Sequence, residues 1–475
     1  MPAPWRDNSP SRPAVQAIEM TPTVLDLFAG AGGMALGFHA AGGKCIGAIE
    51  FDQAAADTFA NTFVDQGVVI LGGPEEGDVN KVPVVDLLDT VGESPLVVCG
   101  GPPCQGFSRI GRAKQASLLG ERDRILQGGA RDPGRDLLYQ YFLAVVQNAQ
   151  PLAFVMENVP GMREHLGNDF ARRIAREAHY LGYNVRYFLL NAAHYGVPQH
   201  RWRLFFVGYR SDLGHDAVPS PPIRTHMGGN VSLGSALPED PWMISEIPTV
   251  PDPAPSVSVR EALGDLPRLK THLNDPPIPP SDMDLPLRGI PSPYVRGLRE
   301  WPSIETPEEL SGHWYRFTPR DFPIFRLMAQ GDCYPEALEI AHSLFRARLR
   351  TMKEAPRPDT PAYKRMKDET VPPYRNDAFH DKWQKLIADQ PSWTLTAHLS
   401  KDSYSHIHYD SRQARTISVR EAARLQGFPD GIEFCGNQGE RFRQIGNAVP
   451  PVLARAIARH VFDELEAIGA FSAGG

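Results

Sequence analysis

Val24-Leu25-Asp26-Leu27-Phe28-Ala29-Gly30-Ala31-Gly32-Gly33 is the stretch that decides the fold. The apolar run from Val24 to Phe28 reads as a buried strand, and Met34 to Ala41 beyond the glycines has the spacing of a helix. Glycines between a strand and a helix let backbone approach a ligand closely. The alternative is a turn that serves only helix–strand packing. A second strand, Lys44 to Glu50, ends in an acid about 20 residues after the loop, and in a doubly wound sheet that position reaches ribose hydroxyls. The spacing Gly30-x-Gly32-Gly33 is not G-x-G-x-x-G, so no helix N-terminus is set up for a pyrophosphate. That disfavours a dinucleotide and suits a nucleoside cofactor without phosphates, S-adenosylmethionine.

Further buried strands read at Leu96–Cys99, Ala153–Met156 and Leu204–Gly208, and Asp136 to Gln147 has helical spacing through Leu137, Tyr141 and Val145. Strands alternating with helices predict an α/β protein built on a doubly wound, mostly parallel sheet. After Tyr209 the chain turns proline-rich and polar, which predicts a second, smaller, irregular domain. Prolines crowd between Pro219 and Pro293 and again between Pro356 and Pro373, and both stretches are expected to be loops. Regular patterning returns at Ser418–Gln426, and Val452–Ile468 reads as a closing helix. The expected division is a disordered leader over 1–20, a catalytic and cofactor-binding domain over 21–210, and a second region over 211–414. A joining segment over 415–440 follows, and 441–468 returns to the first domain.

A chain of 475 residues suggests two or three domains, and 42% hydrophobic with 22% charged residues is a folded composition. No apolar run is long enough for a membrane span, and the first twenty residues lack the pattern of an export signal. Five scattered cysteines exclude a disulfide framework and a paired zinc site, so no metal is expected and the compartment reads as reducing and cytoplasmic. A net charge of −7 argues against nucleic acid as a whole-chain average, but Arg346 to Arg375 holds a local excess of Arg and Lys.

Gly100-Gly101-Pro102-Pro103-Cys104-Gln105-Gly106-Phe107-Ser108 follows a buried strand and places Cys104 at its C-terminal edge, where ligands bind in open α/β sheets. Two prolines stiffen the approach, so the thiol reads as a presented nucleophile and not an inert core cysteine. Together with Asp26–Gly33, this turn resembles the cytosine-5 DNA methyltransferase family. Further matches come in that family's order: Glu157-Asn158-Val159, Gln199-His200-Arg201-Trp202-Arg203, Thr416–Glu421 with Arg424–Pro429, and Gln444-Ile445-Gly446-Asn447-Ala448-Val449-Pro450. The resemblance spans about Thr23 to Gly208 and Pro391 to Val461.

The resemblance implies a Rossmann-like methyltransferase fold with a target-recognition domain between Ser211 and about Gln390. It also implies an enzyme that moves a methyl group from S-adenosylmethionine to C5 of a flipped-out cytosine in duplex DNA. Cys104 would add to C6, Glu157 would hold N3 and the exocyclic amine, and Arg201 and Arg203 would hold the base's O2 and its surroundings. Phe28, Gly30, Gly32 and Pro102 would line the cofactor, Glu50 would take the ribose, Phe51 would stack on adenine and Asp78 would receive its amine. Asn447 and Val449 would return the C-terminal helix to this site, unless Asn447 serves as a helix cap. Gln105, Ser108, Arg109 and Lys401 would meet DNA, and Arg109 to Arg135 would form a loop closing on it. A restriction endonuclease or repair nuclease encoded nearby would be the functional partner, and DNA would hold the enzyme at the nucleoid. The other readings are a tRNA cytosine-5 methyltransferase on the same fold, an inactive DNA-binding relative and a NAD oxidoreductase. The tRNA branch's Cys-Phe-Thr tripeptide is missing, while Cys104 and Glu157 are both present.

Overall fold

The computed structural model describes residues 21–103, 138–163, 169–228, 240–269, 271, 285–286, 289–374, 382–401 and 404–471. The expected leader over 1–20 and the loop expected over Arg109–Arg135 lie outside the described residues. The first part of the chain alternates strand and helix: β1 (Thr23–Leu27), α1 (Gly33–Ala40), β2 (Lys44–Glu50), α2 (Gln53–Thr62), β3 (Val69–Gly72), α3 (Gly73–Glu76), α4 (Val84–Val91), β4 (Val97–Gly100), α5 (Leu138–Ala149), β5 (Ala153–Asn158), α6 (Asp169–Tyr180), β6 (Tyr183–Asn191) and β7 (Trp202–Arg210). The later helices are α7 (Val259–Leu263), α8 (Pro293–Arg299), α9 (Phe322–Leu327), α10 (Tyr334–Arg350), α11 (Pro361–Asp368), α12 (Val419–Gln426), α13 (Gln438–Asn447) and α14 (Pro451–Ala467).

The main sheet has the order β3-β2-β1-β4-β5-β7-β6, and Met243–Ile244 pairs with β6 at the far edge. β3 through β5 run parallel, while β7 enters antiparallel between β5 and β6. Strands with both faces covered read as near-continuous apolar runs, and β1 is buried at all five positions, with Asp26 the one charged residue among them. Leu25 and Leu27 face the cluster formed with α4, α5 and α6, whereas Val24 faces the opposite cluster with α1 and α14. Phe154 and Met156 of β5 repeat the first choice and Val155 the second. The expected doubly wound, mostly parallel α/β sheet is the observed fold.

α14 returns the chain's end to the start. A Cβ at Gly37 of α1 would lie 2.3 Å from the Ala454 Cβ, so the two helices touch at a contact only glycine permits.

Past β7 the chain makes two cores. Val259, Ala262, Leu263 and Leu310 join α2, α12 and α13 in one apolar cluster. α9 and α10 build another with Tyr315, Val371, Trp383, Tyr404 and Ile407. The proline crowding between Pro356 and Pro373 does not mark a loop throughout, because α11 begins on Pro361. Proline fits the first turn of a helix, where its missing N–H has no partner to lose. Thr360 caps that turn by accepting from the Tyr363 N–H at 3.3 Å.

Candidate active site

The glycine loop leaves β1 through left-handed backbone. Phe28 has φ of 58°, Gly30 of 57° and Gly32 of 83°. A bulky residue rarely adopts such a φ, so the strain at Phe28 marks a position held by its surroundings. The Phe28 ring meets Tyr141 edge-on at 6.4 Å. Beneath the loop, Asp26 Oδ2 accepts the Ala35 N–H at 3.0 Å in the first turn of α1. Burial pushes the Asp26 carboxyl up to about 7, opposed by that N–H and by the Cys99 thiol. Gly33 is where the C-terminal segment docks: a Cβ there would sit 2.3 Å from the Val449 carbonyl oxygen.

Glu50 closes this loop from the end of β2. Its Oε2 accepts the Gly30 N–H at 2.8 Å and its Oε1 accepts the Asp52 N–H at 2.7 Å. Burial raises its pKa, with the two N–H donors pulling the other way. A carboxylate offers about four acceptor positions, so two remain for a diol. Nothing lies within 4 Å of a Cβ built on Gly30, so the loop faces open space. Phe51, next in the chain, is 55% exposed. Asp78 follows Gly77, which packs against the Glu50 carbonyl, and its Oδ1 already accepts the Asn80 N–H at 3.0 Å. A glycine cradle, a two-oxygen acceptor and an open aromatic face together fit a nucleoside.

The second half of the site forms where β4 and β5 end side by side. Glu157 is 9% exposed, and Arg203 Nε donates to its Oε1 at 2.8 Å. Its Oε2 lies 3.0 Å from where a Gly101 Cβ would stand, so any side chain there would crowd the carboxylate against this turn. Burial raises the Glu157 pKa, outweighing Arg203 and then Arg201. Asn158 Nδ2 donates to the Pro102 carbonyl at 3.1 Å and ties the turn to β5. Cys104, Gln105, Ser108 and Arg109 lie outside the described residues.

The structure separates the two arginines. Arg201 is fully buried, with Nη1 donating to the Leu395 carbonyl at 2.6 Å and Nη2 to that of Gly446 at 3.0 Å. It clamps the segment before α12 and the end of α13 to the residue that leads into β7, and this commits both of its terminal nitrogens to backbone carbonyls. Gln199 extends the clamp: its Oε1 accepts the Leu395 N–H at 2.9 Å and its Nε2 donates to Gln426 Oε1 at 2.6 Å. Asn447 is exposed at the last position of α13 and caps neither α13, which Asn437 caps, nor α14. Lys401 is exposed, its N–H bound to the His398 carbonyl at 2.9 Å. Among the described residues no group of His, Cys, Asp and Glu could hold a metal ion, and no helix is long and apolar enough to cross a membrane. Asp26, Asn158 and Gln199 were not singled out in the sequence. Their place inside the motifs is the available signal, but their partners, mostly backbone groups together with Gln426 and Cys99, come together only in the fold.

A C-5 cytosine-specific DNA methylase family model matches residues 22–272 and 336–463. A protein of Oceanobacillus iheyensis assigned as a type II methyltransferase is 37% identical over 92% of this chain and 94% of its own length. The type II methyltransferase M.AgeI of Thalassovita gelatinovora is 31% identical over 92% of this chain and 98% of its own. A prophage-encoded protein of E. coli, described as a DNA modification methyltransferase, shares the fold with a TM-score of 0.61 at 22% identity, over 94% of this chain and 99% of that one. A family match of this extent, on a sheet whose strand ends gather a glycine cradle and a buried Glu–Arg pair, shows that the chain belongs to the C-5 cytosine-specific DNA methylases and is a DNA cytosine-5-methyltransferase.

Proposed function

We propose that the methyl group comes from S-adenosylmethionine and reaches C5 of a cytosine turned out of duplex DNA, by way of a covalent bond between Cys104 and C6. The observation that carries this reading is the Glu157 carboxylate, buried, paired to Arg203 and lying against Gly101 in the turn that leads to Cys104. The cofactor supplies an electrophilic methyl group. Phe28, Gly30, Gly32 and Pro102 line it, Glu50 takes the ribose with its two remaining acceptor positions, and Phe51 and Asp78 serve the adenine. Val449 holds the C-terminal segment against Gly33, with Asn447 at its rim.

The Cys104 thiolate forms the S–C6 bond, and the electron pair of the C5–C6 double bond makes C5 nucleophilic. Glu157 holds N3 and the exocyclic amine and supplies the proton that relieves charge on N3; a carboxyl kept above its usual range suits that task. Arg203 keeps Glu157 in register through Nε, its Nη1 donates to the Trp202 carbonyl at 2.8 Å, and Nη2 is the nitrogen it presents to O2. C5 would take the methyl group as its bond to the sulfonium sulfur breaks, which leaves a neutral thioether. C5 then loses its proton to a base, the C5–C6 double bond re-forms as the S–C6 bond breaks and releases the thiolate, and the N3 proton returns to Glu157. Gln105, Ser108, Arg109 and Lys401 contact DNA, and sequence reading lies between Ser211 and Gln390. The type II relatives support a modification role beside a restriction or repair nuclease.

A duplex carrying 5-fluorocytosine tests the chemistry, because fluorine at C5 cannot leave as a proton. Wild-type enzyme should remain bound irreversibly, and Cys104→Ser should neither form the adduct nor transfer label. An active serine variant overturns the covalent step, and label entering tRNA but not DNA overturns the substrate.

A further inference from the structure

Arg443 has no part in the roles given so far, yet it reaches the cofactor edge. From α13, one turn before Asn447, its Nη2 donates to Asp52 Oδ2 at 2.6 Å. Asp52 joins three elements. Its Oδ1 accepts the Ala55 N–H at 3.1 Å and caps α2, and its own N–H holds Glu50 Oε1 at 2.7 Å. The Gly30 N–H holds the other oxygen, so the Glu50 carboxylate is fixed between the glycine loop and Asp52. Phe51 lies between Glu50 and Asp52 in the chain, so whatever fixes Asp52 fixes the backbone that carries this ring.

Neighbouring contacts prevent α13 from sliding. Thr58 Oγ1 donates to Gln444 Oε1 at 2.8 Å, and Gln444 Nε2 donates to the Cys435 carbonyl at 3.0 Å. Arg443 is therefore held at one distance from Asp52, and its charge also favours the ionised form of Glu50. With side chains 42% and 32% exposed, the pair adds little to stability, so a merely structural purpose accounts poorly for its geometry.

We infer that Arg443 is a positioning residue for the cofactor: acting through Asp52, it sets the Glu50 carboxylate and the Phe51 ring where the ribose and the adenine are received. This rests on the reading of Glu50 as the ribose ligand.

The test is calorimetric titration of the full-length protein with S-adenosylmethionine, without DNA, at two salt concentrations. Arg443→Gln and Asp52→Asn should each weaken binding about threefold to fivefold, the reach of a half-exposed ion pair. Asn caps a helix as well as Asp does, so the second variant removes the charge and keeps α2. The double variant should be no weaker than either single one, and Arg443→Lys should recover part of the loss. Salt should weaken binding in the wild type and have less effect on Arg443→Gln. Unchanged affinity in Arg443→Gln, with Glu50→Ala weakened, overturns the inference alone. So does a lowered unfolding midpoint with unchanged affinity, which would make the pair a plain structural contact. Unchanged affinity in Glu50→Ala overturns the cofactor reading itself.

Discussion

Replacing Arg203 by Met tests the Glu157–Arg203 pair in both stability and chemistry. The two side chains are 13% and 12% exposed and meet at 2.8 Å, so the substitution leaves a carboxylate nearly buried without its partner. Breaking such a pair from one side costs roughly 3–5 kcal/mol. Glu157 has a partial escape, since burial already raises its pKa and losing Arg203 raises it further. A carboxyl whose folded pKa lies above its unfolded one keeps its stability at low pH and loses it as pH rises through the folded value. The penalty should therefore lie near 3 kcal/mol at pH 8 and be clearly smaller at pH 5. Adding Glu157→Gln removes the stranded charge and should bring stability back to within about 1 kcal/mol of the wild type. Urea unfolding at the two pH values measures this. Label transfer from S-adenosylmethionine to DNA should fall by roughly 10²–10³ in Arg203→Met, the usual loss when one preorganised donor is removed. A variant equally stable at both pH values and fully active would show that Arg203 does not govern Glu157.

Gly33→Ala should cost about 1–3 kcal/mol in urea unfolding, because its Cβ would stand 2.3 Å from the Val449 carbonyl; wild-type stability would refute the docking argument. Burial lowers His406 from its usual 6.5 to about 4, so its neutral form contributes full stability above pH 6.5 and loses it as pH falls towards 4. At pH 5 the loss is on the order of 2 kcal/mol, and His406→Gln should flatten the fall between pH 7 and 5 in denaturant titrations. Arg346 and Arg350 are exposed on α10, whereas Arg348 donates to Glu369 at 3.0 Å. Changing the first two to Gln should lower the slope of log affinity for DNA against log salt by about 1–2, equally for all sequences. An unchanged slope would remove this helix from the phosphate contacts.

The first domain was legible where periodicity and punctuation agree. β2 runs over the predicted Lys44–Glu50, and α14 differs from its predicted span by a residue at each end. β6 is hard to read from sequence although Phe188-Leu189-Leu190 is apolar, because Arg186 and Asn184 interrupt the run at half-buried positions. α10 and α11 were hidden by prolines that begin them and do not break them. In the site, the spacing after the glycine loop points to Glu50, and the family resemblance points to Glu157, Arg201 and Arg203. What they miss depends on distance along the chain: Arg201 has the same fork as Arg203, and only the carbonyls of Leu395 and Gly446 make it a clamp. Asp52 and Arg443 each read as an ordinary surface charge until the fold brings them together.

The seating of α14 on α1 has a consequence for synthesis. On a ribosome adding roughly 5–20 residues per second, α14 emerges roughly 12–48 seconds after β7, because roughly 240 residues separate them. Until then the cluster of Val24, Met34 and Phe38 lacks the Leu453, Ile457 and Val461 side chains that pack against it. β1 to β7 form a nascent chain with one apolar face open and the glycine loop unsupported by Val449. Such a chain needs shielding from its neighbours on the polysome, and it gains support for the glycine loop when the Val449 segment and α14 arrive. Translation that stalls before α14 would yield protein that turns over as misfolded material, so methylating capacity in a growing cell would track completed chains and not initiated ones.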